Sequence, residues 1–150
     1  MGQQQLLLLV LGIVIVGLAV VVGIQAFSEN QKQSNADMMV NDAIRIASDA
    51  QAWKLKPSAF GGGASASNWT GLSFSQIGYT VGDQGLHPGT DAAADQYENL
   101  NAVYDIALDA GTMTITGTSF DGSGTALNTV VVEVTGTTPG TISTEINPVS

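Results

Sequence analysis

A chain of 150 residues has room for one domain of about 100 residues and an additional arm. The net charge is −9, and all four basic residues, Lys32, Arg45, Lys54 and Lys56, precede Pro57. From Pro57 onward there are nine acids and no Lys or Arg, which excludes phosphate-backbone binding by that part, and the absence of cysteine excludes disulfides and thiolate metal sites.

The first element is Leu6 to Ile24, nineteen residues of which fifteen are Leu, Ile or Val and the rest Gly12, Gly17, Ala19 and Gly23. As a helix it is roughly 28 Å long, close to the thickness of a bilayer's hydrocarbon core. Fifteen such residues at about −0.4 kcal/mol each favour the membrane by about 6 kcal/mol. Met1-Gly2-Gln3-Gln4-Gln5 carries no basic residue, and the apolar run is long for a signal peptide, so a retained segment is expected rather than a cleaved leader.

Gln25 to Lys56 contains neither Gly nor Pro. Apolar residues recur at Met39, Ala43, Ile46, Ala50 and Trp53, with Val40 and Ala47 alongside, at the spacing of an amphipathic helix. Asp37, Asn41, Asp42, Arg45 and Asp49 take the opposite side, where Asp42 and Arg45 form an i,i+3 pair. Pro57 stops the helix, and Lys54 and Lys56 suit its negative end. The spacing thus predicts one helix from about residue 3 to about residue 54, apolar all round in its first half and striped in its second.

An apolar N-terminal helix running into an amphipathic half that carries a small β domain resembles the type IV pilins and the pseudopilins of secretion systems. The resemblance covers residues 1–56 and rests on MGQQQLLLLVLGIVIVGLAVVVGIQAF followed by DAIRIASDAQAWKLKP. It implies a mature chain beginning at a methylated Met1. Gln5 stands where the family usually has Glu, no proline occurs near Val22, and the frequent C-terminal disulfide is absent.

Beyond Pro57, Ser58 to Ser67 holds Gly61-Gly62-Gly63 and reads as a loop; no Lys follows that would make it a phosphate cradle. Trp69, Leu72, Phe74, Ile77 and Tyr79, joined by Phe60, are expected to pin this loop to the helix stripe. Asn68-Trp69-Thr70 matches the N-glycosylation triplet, making Asn68 a candidate acceptor. Gly82 to Asn99 is a polar excursion. Asp91, Asp95 and Glu98 stand there at helical spacing, a Ca²⁺ candidate without EF-hand spacing, against the plainer reading of a solvated acidic loop. His87, the single histidine, makes neither a transition-metal site nor half of a catalytic pair.

The period then changes to two. Ala102–Leu108 places Tyr104, Ile106 and Leu108 on one face. Asp109-Ala110-Gly111 signals a hairpin, and Thr112–Thr118 alternates Met113 and Ile115 with threonines. Asp121-Gly122-Ser123-Gly124 turns again. Leu127–Thr135 alternates Val130, Val132 and Val134 against Thr129, Val131 and Glu133, and Thr141–Ile146 makes a last strand. The expectation is an α+β, pilin-like fold: the long helix on an antiparallel sheet of three to four strands, one face on the helix and one face wet. The organisation is 1–27 apolar helix, 28–56 amphipathic half and 57–150 head.

The expected function is that of a filament subunit, not an enzyme, with no cofactor. The resemblance and the apolar run assign assembly to Met1, Gln5, Leu6, Leu7, Leu8, Leu9, Val10, Leu11, Gly12, Ile13, Val14, Ile15, Val16, Gly17, Leu18, Val20, Val21, Val22, Gly23 and Ile24. Implied partners are other copies of the chain, inner- or cytoplasmic-membrane lipid before assembly and the pilus assembly machinery, with no nucleic acid. The implied location is an extracellular filament. The alternatives are a pseudopilin piston and a membrane-anchored extracellular binding module for a cation or glycan.

Overall fold

The computed structural model describes residues 2–64, 68–109 and 111–148. Met1, Ala110 of the expected hairpin turn and residues 65–67 of the expected loop lie outside them. One helix, α1, spans Gly2–Leu55, and five strands follow: β1 Tyr97–Glu98, β2 Val103–Leu108, β3 Met113–Phe120, β4 Ala126–Val134 and β5 Ile142–Pro148. The chain divides into two compact units, residues 1–34 and 35–150.

In the second unit the stripe read from the sequence is the buried one. Ala36, Met39, Ala43, Ile46, Ala47, Ala50 and Trp53 are buried. All of these except Ala36 join Trp69, Leu72, Phe74, Tyr104, Met113, Ile115, Val130, Val132 and Val134 in one core. The helix stops before Pro57, whose ring and missing N–H cannot continue it. The Trp53 ring then fixes the exit. Its Nε1 donates to the Gly61 carbonyl at 3.0 Å, and a Cβ at Gly63 would sit 2.3 Å from its Cζ3. A Cβ at Gly62 would lie 2.1 Å from the Lys56 carbonyl oxygen. Gly62 and Gly63 are thus required for space around Lys56 and Trp53, whereas Gly61 has room for a Cβ and takes a left-handed conformation with φ 78°. Phe60 is 73% exposed and takes no part in pinning this loop.

The sheet is an antiparallel meander in the order β1-β2-β3-β4-β5. Five strands replace the three to four expected. The additional one, β1, lies in the polar excursion and is too short to show a period. Tyr97 opposes Tyr104 and Glu98 opposes Val103. The Tyr97 ring stacks on Tyr104 at 5.9 Å and meets Phe74 at 5.8 Å and Tyr79 at 4.8 Å. Tyr104 in turn faces Gly117 across the β2–β3 ladder, where a Cβ would come within 2.7 Å of its Cε1. At the far end Ser119 and Asn128 are buried opposite each other, and the Asn128 N–H donates to Ser119 Oγ at 3.2 Å.

The opposite sheet face is wet only in part. Val103, Glu98, His87 and Ala92 are buried, and the His87 ring packs on Phe120 at 6.0 Å. The excursion before β1 thus tucks in His87 and Ala92, while its carboxylates Asp83, Asp91 and Asp95 stay exposed to solvent. Thr114, Thr116 and Glu133 remain partly or fully exposed.

The helix flank also differs from expectation. Asp42 is half-buried, and its Oδ2 accepts from Asn99 Nδ2 at 2.9 Å, Asn101 Nδ2 at 2.8 Å and the Tyr104 hydroxyl at 3.2 Å. The expected Asp42–Arg45 pair is not formed among the described residues; a carboxylate beside the stripe is worth more to buried donors than to an exposed cation. Asp49 Oδ2 accepts the Tyr79 hydroxyl at 2.6 Å. Gln51 donates to the carbonyls of Gly136 at 2.8 Å and Thr138 at 3.0 Å, tying α1 to the β4–β5 connection.

Candidate functional site

Leu6–Ile24 is helical throughout, and none of it is buried. Its large side chains range in exposure from 50% at Leu11 to 70% at Leu7. The helix forms because Leu is a strong helix former, no proline interrupts the run and glycine stands at only three of its nineteen positions. Leu, Ile and Val occur on every side, so no face is reserved for a core. Covering fifteen such side chains is worth on the order of 20 kcal/mol. That exceeds the net stability of a typical domain, about 5–15 kcal/mol, so the helix requires an apolar surrounding. By length and composition it is able to cross a membrane.

Gly12, Gly17 and Gly23 each have nothing within 4 Å of where a Cβ would stand. They are notches in an otherwise bulky surface, and Gly in mid-helix costs roughly 1 kcal/mol relative to Ala. Gln3, Gln4 and Gln5 are exposed on the first turns of the helix. Met1, the first of the assembly residues named above, lies outside the described residues.

The acidic candidates do not converge. Asp91, Asp95 and Glu98 lie on no helix, and Asp91 and Asp95 are exposed. Glu98 is 3% exposed and already engaged by the N–H groups of Leu86 and His87, each at 3.0 Å, and of Gln84 at 2.5 Å. It closes a backbone turn as an acceptor of three donors. Among the described residues no group of three or more His, Cys, Asp or Glu is placed to hold a metal ion. The helical spacing misled because nothing in that stretch supports a helix. His87 uses Nε2 on the Asn99 carbonyl at 2.8 Å and is buried against Phe120. Asn68 is half-buried, its carbonyl accepts from Lys54 Nζ, and Trp69 beside it is buried while Thr70 is exposed.

Burial and neighbouring carboxylates shape the titration of the head. Burial pushes the Tyr104 phenol far above its ordinary range, and Asp42 adds to the effect. Burial and the hydrogen bond to Asp49 do the same to Tyr79. Asp121 is held below the usual carboxylate range by the Ser123 hydroxyl and the N–H groups of Thr125 and Ser123, which close the β3–β4 turn.

Sequence reasoning missed the acceptor roles of Asp42, Asp49 and Glu98, because each depends on a partner distant in the chain. No known protein family, curated protein or solved structure matches this chain.

Proposed function

We propose that this protein is a structural subunit of an extracellular helical filament of the type IV pilus class. The observation that carries the reading is the helix Leu6–Ile24, exposed on all sides in the single chain. In this reading the segment is dissolved in lipid before assembly. On extraction the same surface packs against the segments of other copies, so one apolar surface serves two surroundings. A contact between different patches of identical chains does not close and propagates as a helix. The notches at Gly12, Gly17 and Gly23 let neighbouring helices approach closely. Nothing in the sequence suggests a nucleotide site, so partner machinery supplies the work of extraction. The amphipathic half of α1 carries the β domain on the filament's outside.

The experiment is electron microscopy of material sheared from cells, with mass spectrometry to identify the subunit and its N-terminus. Filaments built of this chain are expected. Long filaments favour a pilus over a pseudopilus. Recovery of the chain only as a detergent-solubilised monomer, with no filament on the cells, overturns the proposal in favour of a membrane-anchored binding module.

A further inference from the structure

We infer that the head domain carries a binding cleft for a neutral saccharide, at the junction of α1 with the β1–β2 hairpin. This does not rest on the filament reading, since it uses residues of the second unit alone. The cleft is shallow and open to solvent, with a volume of about 590 Å³; Asp42, Thr80, Gln84, Tyr97, Asn99 and Asn101 supply polar groups to its lining, and Leu86 and Leu100 apolar ones.

The lining is rigid. Asn99 Oδ1 accepts from the N–H groups of Asn101 at 2.8 Å and Ala102 at 3.0 Å, and its own N–H donates to the Ala102 carbonyl at 3.0 Å. Asp42 ties both asparagine side chains to the helix. Tyr97 is held by three aromatic neighbours. This tight hairpin presents Leu100 at 81% exposure, the most exposed large apolar side chain recorded in the head. A leucine held in water by a turn with so many hydrogen bonds is a cost that a bound ligand relieves.

The hydrogen-bonding groups left over define the ligand. Asp42 uses Oδ2 three times, while its Oδ1, the Asn101 Oδ1 and the hydroxyls of Thr80 and Tyr97 make no hydrogen bond to a described residue. These are two acceptors and two hydroxyls that both donate and accept. An anionic ligand meets a lining without Lys or Arg that includes the Asp42 and Glu98 carboxylates. A divalent cation needs about six oxygens, whereas Glu98 is engaged by backbone N–H groups and leaves a single carboxylate oxygen uncommitted. The second N–H of the Asn99 and Asn101 amides and the Gln84 amide add donors to this set, so donors and acceptors stand side by side as on a polyol rather than along a strand edge. A sugar ring matches better: its hydroxyls satisfy both roles at these groups, and its C–H faces cover Leu86 and Leu100.

The test uses the full chain in lauryldimethylamine oxide micelles, a detergent without a sugar headgroup. An array of neutral and charged mono- and oligosaccharides is probed, and any retained sugar is titrated against variants. At least one neutral saccharide is expected to bind. Tyr97→Phe, which keeps the ring and removes the hydroxyl, and Leu100→Ser should each weaken it about tenfold, the equivalent of one good contact. Melting temperature should be unchanged in both, and Asp91→Asn, outside the cleft, should bind as the parent chain does. Retention of no saccharide, retention of charged ones only, or equal binding by Tyr97→Phe and Leu100→Ser overturns the inference.

Discussion

The Tyr104 hydroxyl donates to Asp42 Oδ2 at 3.2 Å, and the same oxygen accepts two asparagine amides. One carboxylate on α1 thus satisfies three donors from β2 and the hairpin before it. Asp42→Ala should lower stability by about 2–4 kcal/mol, because three donors lose a charged acceptor at a half-buried site. Arg45→Ala, removing an exposed cation, should change it by less than about 0.5 kcal/mol. Urea unfolding of the detergent-solubilised chain compares the two, and equal effects would refute the assigned role of Asp42.

The phenols of Tyr79 and Tyr104 make stability depend on alkaline pH. Both are held above their ordinary value of 10.0, mainly by burial. The unfolded chain therefore loses these protons first as pH rises. Their contribution is complete below about pH 10 and declines above it. Melting temperatures from about pH 8 to about pH 11.5 should fall in the upper part of the range, and Tyr104→Phe should make the fall shallower.

Two glycines are required for space. A Cβ at Gly117 would lie 2.7 Å from the Tyr104 ring, and one at Gly63 2.3 Å from the Trp53 ring. Both rings are locked, so Gly117→Ala or Gly63→Ala should cost about 1–3 kcal/mol. Gly12→Ala, with nothing within 4 Å, should leave the head's unfolding transition unchanged. If the filament reading holds, it should reduce filament number, counted by electron microscopy.

A chain beginning at Ser28 should be soluble and monomeric by light scattering. It lacks the apolar run, while the stripe from Ala36 to Trp53 stays buried on the sheet. Regular filaments formed by it would remove the run's role in assembly.

Gln5 should act through hydrogen bonds in a filament core. Gln5→Leu should reduce filaments per cell by leaving polar partners unpaired, at about 1–3 kcal/mol per buried group. Gln5→Glu should be tolerated where a neighbouring amine is within reach. Normal assembly of Gln5→Leu together with loss in Gln5→Glu would contradict this account.

Periodicity and composition determined the helix, its end before Pro57, its buried stripe and the alternation of β3 and β4. These are properties of near neighbours: a 3.6-residue turn, a two-residue pleat and a proline that cannot donate. The same holds for the apolar run Leu6–Ile24, whose character is a matter of composition alone. Only the tertiary structure decided that β1 exists, since two residues carry no period and Tyr97 is in place because Tyr104 and Phe74 stack against it. It also decided that Asp42, Asp49 and Glu98 are acceptors for the head rather than solvated charges or metal ligands. Asp42 and Tyr104 are 62 residues apart in the chain, and no local pattern encodes a hydrogen bond that forms only when a strand is laid against a helix.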